Sequence, residues 1–106
     1  MKLITKEIEK KLLKSPLYSK DGQGDDAEVI VKFFTPDSSW TWLVLEGEQD
    51  GDDWTFFGLV DGLFGWEYGY FTLSELKGIR GHFGLPVERD MYIGKHAKVK
   101  DFRKGY

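Results

Sequence analysis

Apolar residues recur along this chain with two different periods, and the change between them divides it. Ile4, Ile8 and Leu12 are spaced four apart with Leu13 beside them, while lysines and two glutamates cover most of the rest, which predicts a short amphipathic helix. Thr5 is placed to cap its first turn, with Ile4 before it as a hydrophobic staple. Ser15-Pro16 ends it, because proline disfavours the helical conformation in the residue before it. Leu17-Tyr18 reads as a packed tether, and Lys20–Asp26 (KDGQGDD) as an exposed loop.

From Glu28 the period drops to two. Strand one is expected over Glu28–Phe34, with Val29, Val31 and Phe33 on one face and Ile30, Lys32 and Phe34 on the other. A turn at Thr35–Ser39 leads to strand two, Trp40–Leu45, with Trp40, Trp42 and Val44 opposite Thr41, Leu43 and Leu45. Glu46–Asp53 (EGEQDGDD) reads as an acidic turn, Trp54–Val60 as strand three, and Asp61-Gly62 as the start of a third turn. Strand four is expected over Gly65–Phe71. Thr72-Leu73-Ser74-Glu75 then has the form of a capping box opening a short helix through Leu76 and Ile79, with Gly81 at its C-terminal position. After a Gly84/Pro86 bend, Val87–Ile93 suits a fifth strand at a sheet edge. The expected architecture is α+β: a four- to five-stranded antiparallel meander with an N-terminal helix and a short helix after strand four. It forms one domain over 1–94, followed by a basic, mobile tail over 95–106.

Composition narrows the function classes. A chain of 106 residues with 41% apolar content can hold one core unaided. No apolar run approaches the roughly 20 residues of a membrane span. Charges threaded through MKLITKEIEKKLLK leave no signal-peptide core, and zero cysteines exclude disulfides and thiolate chemistry. A cytoplasmic protein is the expectation. The net charge of −3 conceals two basic ends flanking an acidic body. Such a body repels nucleic acid and attracts basic surfaces, unless the ends fold back and neutralise it.

Three stretches could carry chemistry. Val31–Phe71 holds all four tryptophans, Trp40, Trp42, Trp54 and Trp66. They form either an exposed platform for a base or a protein loop, or a second apolar face covered by the N-terminal helix or another copy of the chain. With only Lys32 in the strands, direct nucleic-acid binding is disfavoured. The acids Glu46, Glu48, Asp50, Asp52 and Asp53 lack the order of a calcium loop; they are either a solvated tip or an imitation of spaced phosphates. In Arg80–Asp90, the residues Arg80, His82, Glu88, Arg89 and Asp90 form either an anion pocket or an internal ion-pair set, such as Arg89 with Glu75 or Asp61. Glu88 and Asp90 alone are a weak basis for a metal or acid/base pair. No nucleophile elbow, phosphate loop or HExxH is present, so neither cofactor nor resident metal is expected, and the chain does not point to an enzyme.

The segments KFFTPDSSWTW (Lys32–Trp42), FFGLVDG (Phe56–Gly62), GYFTLSEL (Gly69–Leu76) and IRGHFGLPVERD (Ile79–Asp90) resemble the domain of unknown function 2958 family. The resemblance covers about residues 1–95, and the loop at Asp21–Asp26 and the basic tail depart from the family pattern. Family members are small proteins of plasmids, phages and integrative elements. The resemblance therefore implies a non-enzymatic accessory protein that binds a host macromolecule. An anti-defence role follows as an expectation, the partner being a nucleic-acid-handling component such as a CRISPR or restriction nuclease. The alternative is a protein that binds or sequesters a small anionic, nucleotide-like ligand through Arg80, Arg89 and the tryptophans.

Overall fold

Thr5 starts the first helix as its sequence suggests. Its Oγ1 accepts the Ile8 amide at 3.2 Å, and α1 runs over Lys6–Leu13. In this computed structural model, which describes residues 1–103, α1 is followed by β1 (Val31–Phe34), β2 (Thr41–Asp50), β3 (Asp53–Gly62) and β4 (Gly65–Thr72). Then come α2 (Leu73–Gly78), β5 (Glu88–Arg89) and α3 (Val99–Phe102). The strands form one antiparallel sheet in the order β4-β3-β2-β1-β5. The α+β meander with a fifth strand at its edge is therefore present, with β1 and β5 shorter than expected and β2 and β3 longer.

Both faces of the sheet are covered. On one, Val31, Phe33, Trp42, Val44, Trp54, Phe56 and Phe71 pack against Leu12 of α1, Leu73 and Leu76 of α2, and Leu3, Ile4 and Val87. On the other, Leu43, Leu45 and Leu59 meet Ala27, Val29 and Val99, with Trp66, Ile93 and Phe102 packed alongside. Val29 thus parts company with Val31 and Phe33, because regular strand begins only at Val31. Leu13 points to solvent rather than into the stripe, at 68% exposure.

The acidic tract is not a turn. The β2–β3 ladder continues to Asp50↔Asp53, so only Gly51 and Asp52 turn the chain, with Gly51 at φ 60°. The register shifts between Val44 and Glu46, leaving Leu45 as a bulge. Unbulged alternation would aim Glu46 at the main core beside Trp42 and Val44. The extra residue instead places Glu46 opposite Phe57 and Gly47 opposite Phe56. The fit at Gly47 is tight, since a Cβ there would sit 3.0 Å from Leu12 Cδ2 and 3.2 Å from Phe56 Cδ1.

Three further expectations need correcting. Asp61-Gly62 remain in strand, and the turn lies at Leu63-Phe64, relieved by Gly65 at φ 83°. Helix α2 stops at Gly78, so Gly81 does not terminate it. The expected mobile tail is docked as far as Arg103. Val99 is fully buried, Val29 N–H donates to the Ala97 carbonyl at 2.8 Å, and Val99 N–H to the Ala27 carbonyl at 3.0 Å. Burying that valine is worth about 1.5 kcal/mol or more, which outweighs any one of the exposed ion pairs beside it. Those pairs join Lys100 to Asp26 (3.1 Å) and Arg103 to Asp25 (2.9 Å), so this basic end folds back on the acidic loop. Lys104–Tyr106 lie outside the described residues.

Candidate functional site

The middles of the KFFTPDSSWTW and IRGHFGLPVERD segments meet at Asp37. Its Oδ2 accepts the Phe83 amide at 2.7 Å and the Leu85 amide at 3.2 Å. The 81–85 bend approaches so closely that a Cβ on Gly81 would fall 1.5 Å from Asp37 Oδ1. Glycine is required there for the close approach, a role that the helix-ending reading missed. Asp37 was not singled out in the sequence; its only signal is an Asp in a TPD turn, far along the chain from the glycine-rich bend it holds.

That clasp shapes one end of the sheet into a cleft of about 560 Å³. Its floor is Trp42, Val60, Phe71 and Ile79, and its rim is Trp40, Glu75, Arg80 and His82. The volume is in the range of small-molecule sites. Trp40 stacks on Trp42 with ring centroids 6.0 Å apart and planes at 22°. Arg80 is held by its own helix end, one guanidinium nitrogen donating to the Lys77 and Ile79 carbonyls at 2.8 Å each. A smaller groove of about 130 Å³ shares Trp40 and Val60 and runs to Leu63 and Phe64. Trp40, Leu63 and Phe64 line these depressions and are exposed, Phe64 at 85%; Phe83, at 86%, and Leu85 are exposed on the adjoining 81–85 bend.

Of the residues expected to form a site, the fold gathers Trp40, Trp42, Arg80 and His82 here and sends the others elsewhere. Trp54 is buried in the main core, stacked on Phe56 at 6.4 Å. Trp66 packs against the second cluster. Glu88 lines a separate cavity with Trp54 and the N-terminal residues. Arg89 pairs with neither Glu75 nor Asp61; its guanidinium donates to the Lys2 carbonyl. Asp90 meets Lys32 at 3.3 Å and accepts the Tyr92 amide. The Arg80–Asp90 cluster is therefore neither one pocket nor one ion-pair set, because the two-residue β5 pulls its second half onto β1. Among the described residues, no three His, Asp or Glu side chains converge as a cation site.

The five acids of the former turn also divide. Buried Glu46 accepts the Tyr18 and Lys20 amides at 2.8 Å each. Asp53 accepts the Ser74 hydroxyl at 2.7 Å and the Trp54 amide at 2.8 Å, fastening the start of α2 to β3. Glu48, Asp50 and Asp52 remain exposed. Thr72 completes the α2 cap differently from a capping box. Its hydroxyl accepts the Glu75 amide at 3.1 Å and donates to Glu75 Oε1 at 3.0 Å, while Thr72 itself is still in β4 opposite Thr55.

Desolvation pulls the Asp37 carboxyl upward, but the Leu85 and Phe83 amides and nearby His82 outweigh it and hold the group below its ordinary 3.8. The Ser74 hydroxyl, followed by the Trp54 amide, holds Asp53 low as well. A carboxyl depressed in the folded chain adds stability that is present above its unfolded value and lost as pH falls through the native one. Asp37→Asn should therefore be less stable than wild type at about pH 6, the gap closing as pH drops from near 4 through the native value. Denaturant titrations across that range check this; a gap independent of pH would rule out the carboxylate as the source.

No helix of the described residues is long and apolar enough to cross a membrane. Neither the curated proteins nor the solved structures include a match to the chain. The family described as Protein of unknown function (DUF2958) matches residues 3–104, so the match takes in the basic C-terminal segment as well as the meander, and the protein belongs to that family.

Proposed function

We propose that this is a non-enzymatic, cytoplasmic accessory protein of mobile genetic elements that works by binding a host macromolecule, a nucleic-acid-handling defence component of the CRISPR or restriction kind. The observation that carries the binding reading is the exposure of five apolar side chains, Trp40, Leu63 and Phe64 lining the cleft or its neighbouring groove and Phe83 and Leu85 on the bend that follows the cleft-lining Gly81 and His82. Exposed aromatic and aliphatic groups gathered at one end of a small domain mark an interaction surface. Glu48, Asp50 and Asp52 form a separate acidic tip at the opposite end of β2 and β3, suited to a basic nucleic-acid groove.

A photo-crosslinking residue in place of Phe83 should form a covalent adduct with one host protein, and the same residue in place of Leu13 should not. The double variant Phe83→Ser/Leu85→Ser should lower capture about tenfold or more with the melting temperature nearly unchanged. Capture that survives both substitutions would remove this surface. Neutralising Glu48, Asp50 and Asp52 together, and leaving Glu46 and Asp53 to hold the fold, tests the phosphate imitation separately.

Arg80 and His82 on the rim beside two tryptophans favour a second reading, a small anionic ligand in the same cleft. Nucleotides would then quench tryptophan fluorescence and raise the melting temperature, and Arg80→Ala would abolish both. An absence of any shift counts against it.

A further inference from the structure

The strand forming one wall of the cleft is an open sheet edge. β4 pairs only with β3, in unbroken register from Thr55↔Thr72 to Gly62↔Gly65. Among the described residues, no backbone hydrogen bond from outside that ladder reaches Glu67–Phe71. Natural edges are blunted by shortness, lysine, proline or a bulge. The opposite edge, β5, is two residues long, whereas β4 has eight residues and none of these devices.

Its two faces differ. Phe71 faces the cleft. On the other face, Phe57 stacks on Tyr68 at 5.8 Å and lies 5.0 Å from the Tyr70 ring, making an aromatic shelf. Tyr68 and Tyr70 are about half exposed, and Glu46 and Asp21 lie within electrostatic reach of the Tyr70 hydroxyl. The strands themselves are acidic, although Arg80 lines the cleft beside Phe71 and Lys20 the pocket beside Tyr68. From Phe33 to Leu76 there is no lysine or arginine, and there are nine Asp and Glu residues.

We propose that β4 is a docking edge for an extended, lysine- or arginine-bearing segment of a partner protein, which adds as a sixth strand. Main-chain bonding to β4 holds the segment, and its alternate side chains fall toward the cleft and toward the tyrosine shelf. On the shelf, aromatic faces and nearby carboxylates favour cationic side chains. A second copy of this chain fits less well. The only charge on β4 is Glu67, flanked by Asp61 and Glu75, so two such edges would oppose like charges. This inference rests on the partner-binding reading and supplies its mode.

The probes are an acetylated, amidated octapeptide of alternating Lys and Val, its Glu–Val counterpart, and the Lys–Val peptide N-methylated at every second residue. Nitrogen–proton correlation spectra of the whole chain should show the Lys–Val peptide shifting Glu67–Phe71 and slowing exchange of alternate amides there. The N-methylated peptide, with the same charge but one bonding edge blocked, should bind about tenfold more weakly or worse. The Glu–Val peptide should not bind, and Glu67→Lys should weaken the Lys–Val complex by a similar factor. Equal binding of the N-methylated peptide, shifts confined to other regions, or no binding at millimolar peptide would overturn strand addition. So would β4 amides already protected in a peptide-free dimer. A Phe83 crosslink that persists through such a failure would leave the partner-binding reading standing without this mode, whereas loss of both would remove both.

Discussion

Gly58→Ala should cost about 3 kcal/mol or more, enough to unfold a marginal domain of this size. Gly58 lies in β3, with β2 on one side and β4 on the other, and opposite Val44, the last paired residue before the bulge. A Cβ built there would stand 1.8 Å from the Leu43 carbonyl oxygen and 2.9 Å from its carbon. Those are backbone atoms of a central strand, so no side chain can swing away, and relief requires prising β2 from β3. The comparison that isolates the cause is Gly69→Ala on the neighbouring strand. Gly69 is the cross-strand partner of Gly58, yet nothing lies within 4 Å of its ideal Cβ. That substitution should change stability by less than about 0.5 kcal/mol. Denaturant unfolding of the pair decides the matter; similar stabilities for the two variants would refute the close approach.

The second large effect is expected at Glu46. Glu46→Ala should destabilise by about 2–4 kcal/mol, because two amides that a charged acceptor satisfies would lose it in a buried setting. Those amides belong to Tyr18 and Lys20, in the tether between α1 and the acidic loop. Tyr18 sits at φ 73°, a left-handed conformation costly for a tyrosine, and the carboxylate holds it there. Native-state hydrogen exchange should show the Tyr18 and Lys20 amides opening first in the variant. Glu48→Ala and Asp50→Ala, from the same acidic run, should be nearly silent. If all three variants behaved alike, the division of that run into structural and exposed acids would fail.

The contrast between Glu46 and Glu48 shows where local reading stops. Both stood in an apparent turn because EGEQDGDD has the composition of one. A ten-residue β2 carries that polar stretch because its partner β3 is apolar and long enough to pair with it to the end. The bulge at Leu45 has no signature in its own residues; it arises in the β2–β3 register. Trp54 illustrates the same limit on the candidate site. Strand alternation placed it on a face, but whether that face met solvent depended on α1 and α2, which precede and follow the four-stranded meander.

What the sequence determined by itself is what depends on neighbours a few positions away. The Thr5 and Thr72 caps, the apolar stripe of α1 and the β1–β4 meander all follow from contacts between near or consecutive elements, which leave a period or a spacing to read. Tertiary structure alone decided the rest. Asp37 reaches amides 46 and 48 residues away, Glu46 reaches back 28 and 26, and Arg103 meets Asp25 across 78. Such contacts join a side chain to a distant amide or charge chosen by the path of the chain, so no periodicity records them. They make the difference between a chain rich in tryptophan and acid and a folded domain with one aromatic-rimmed cleft and one open edge.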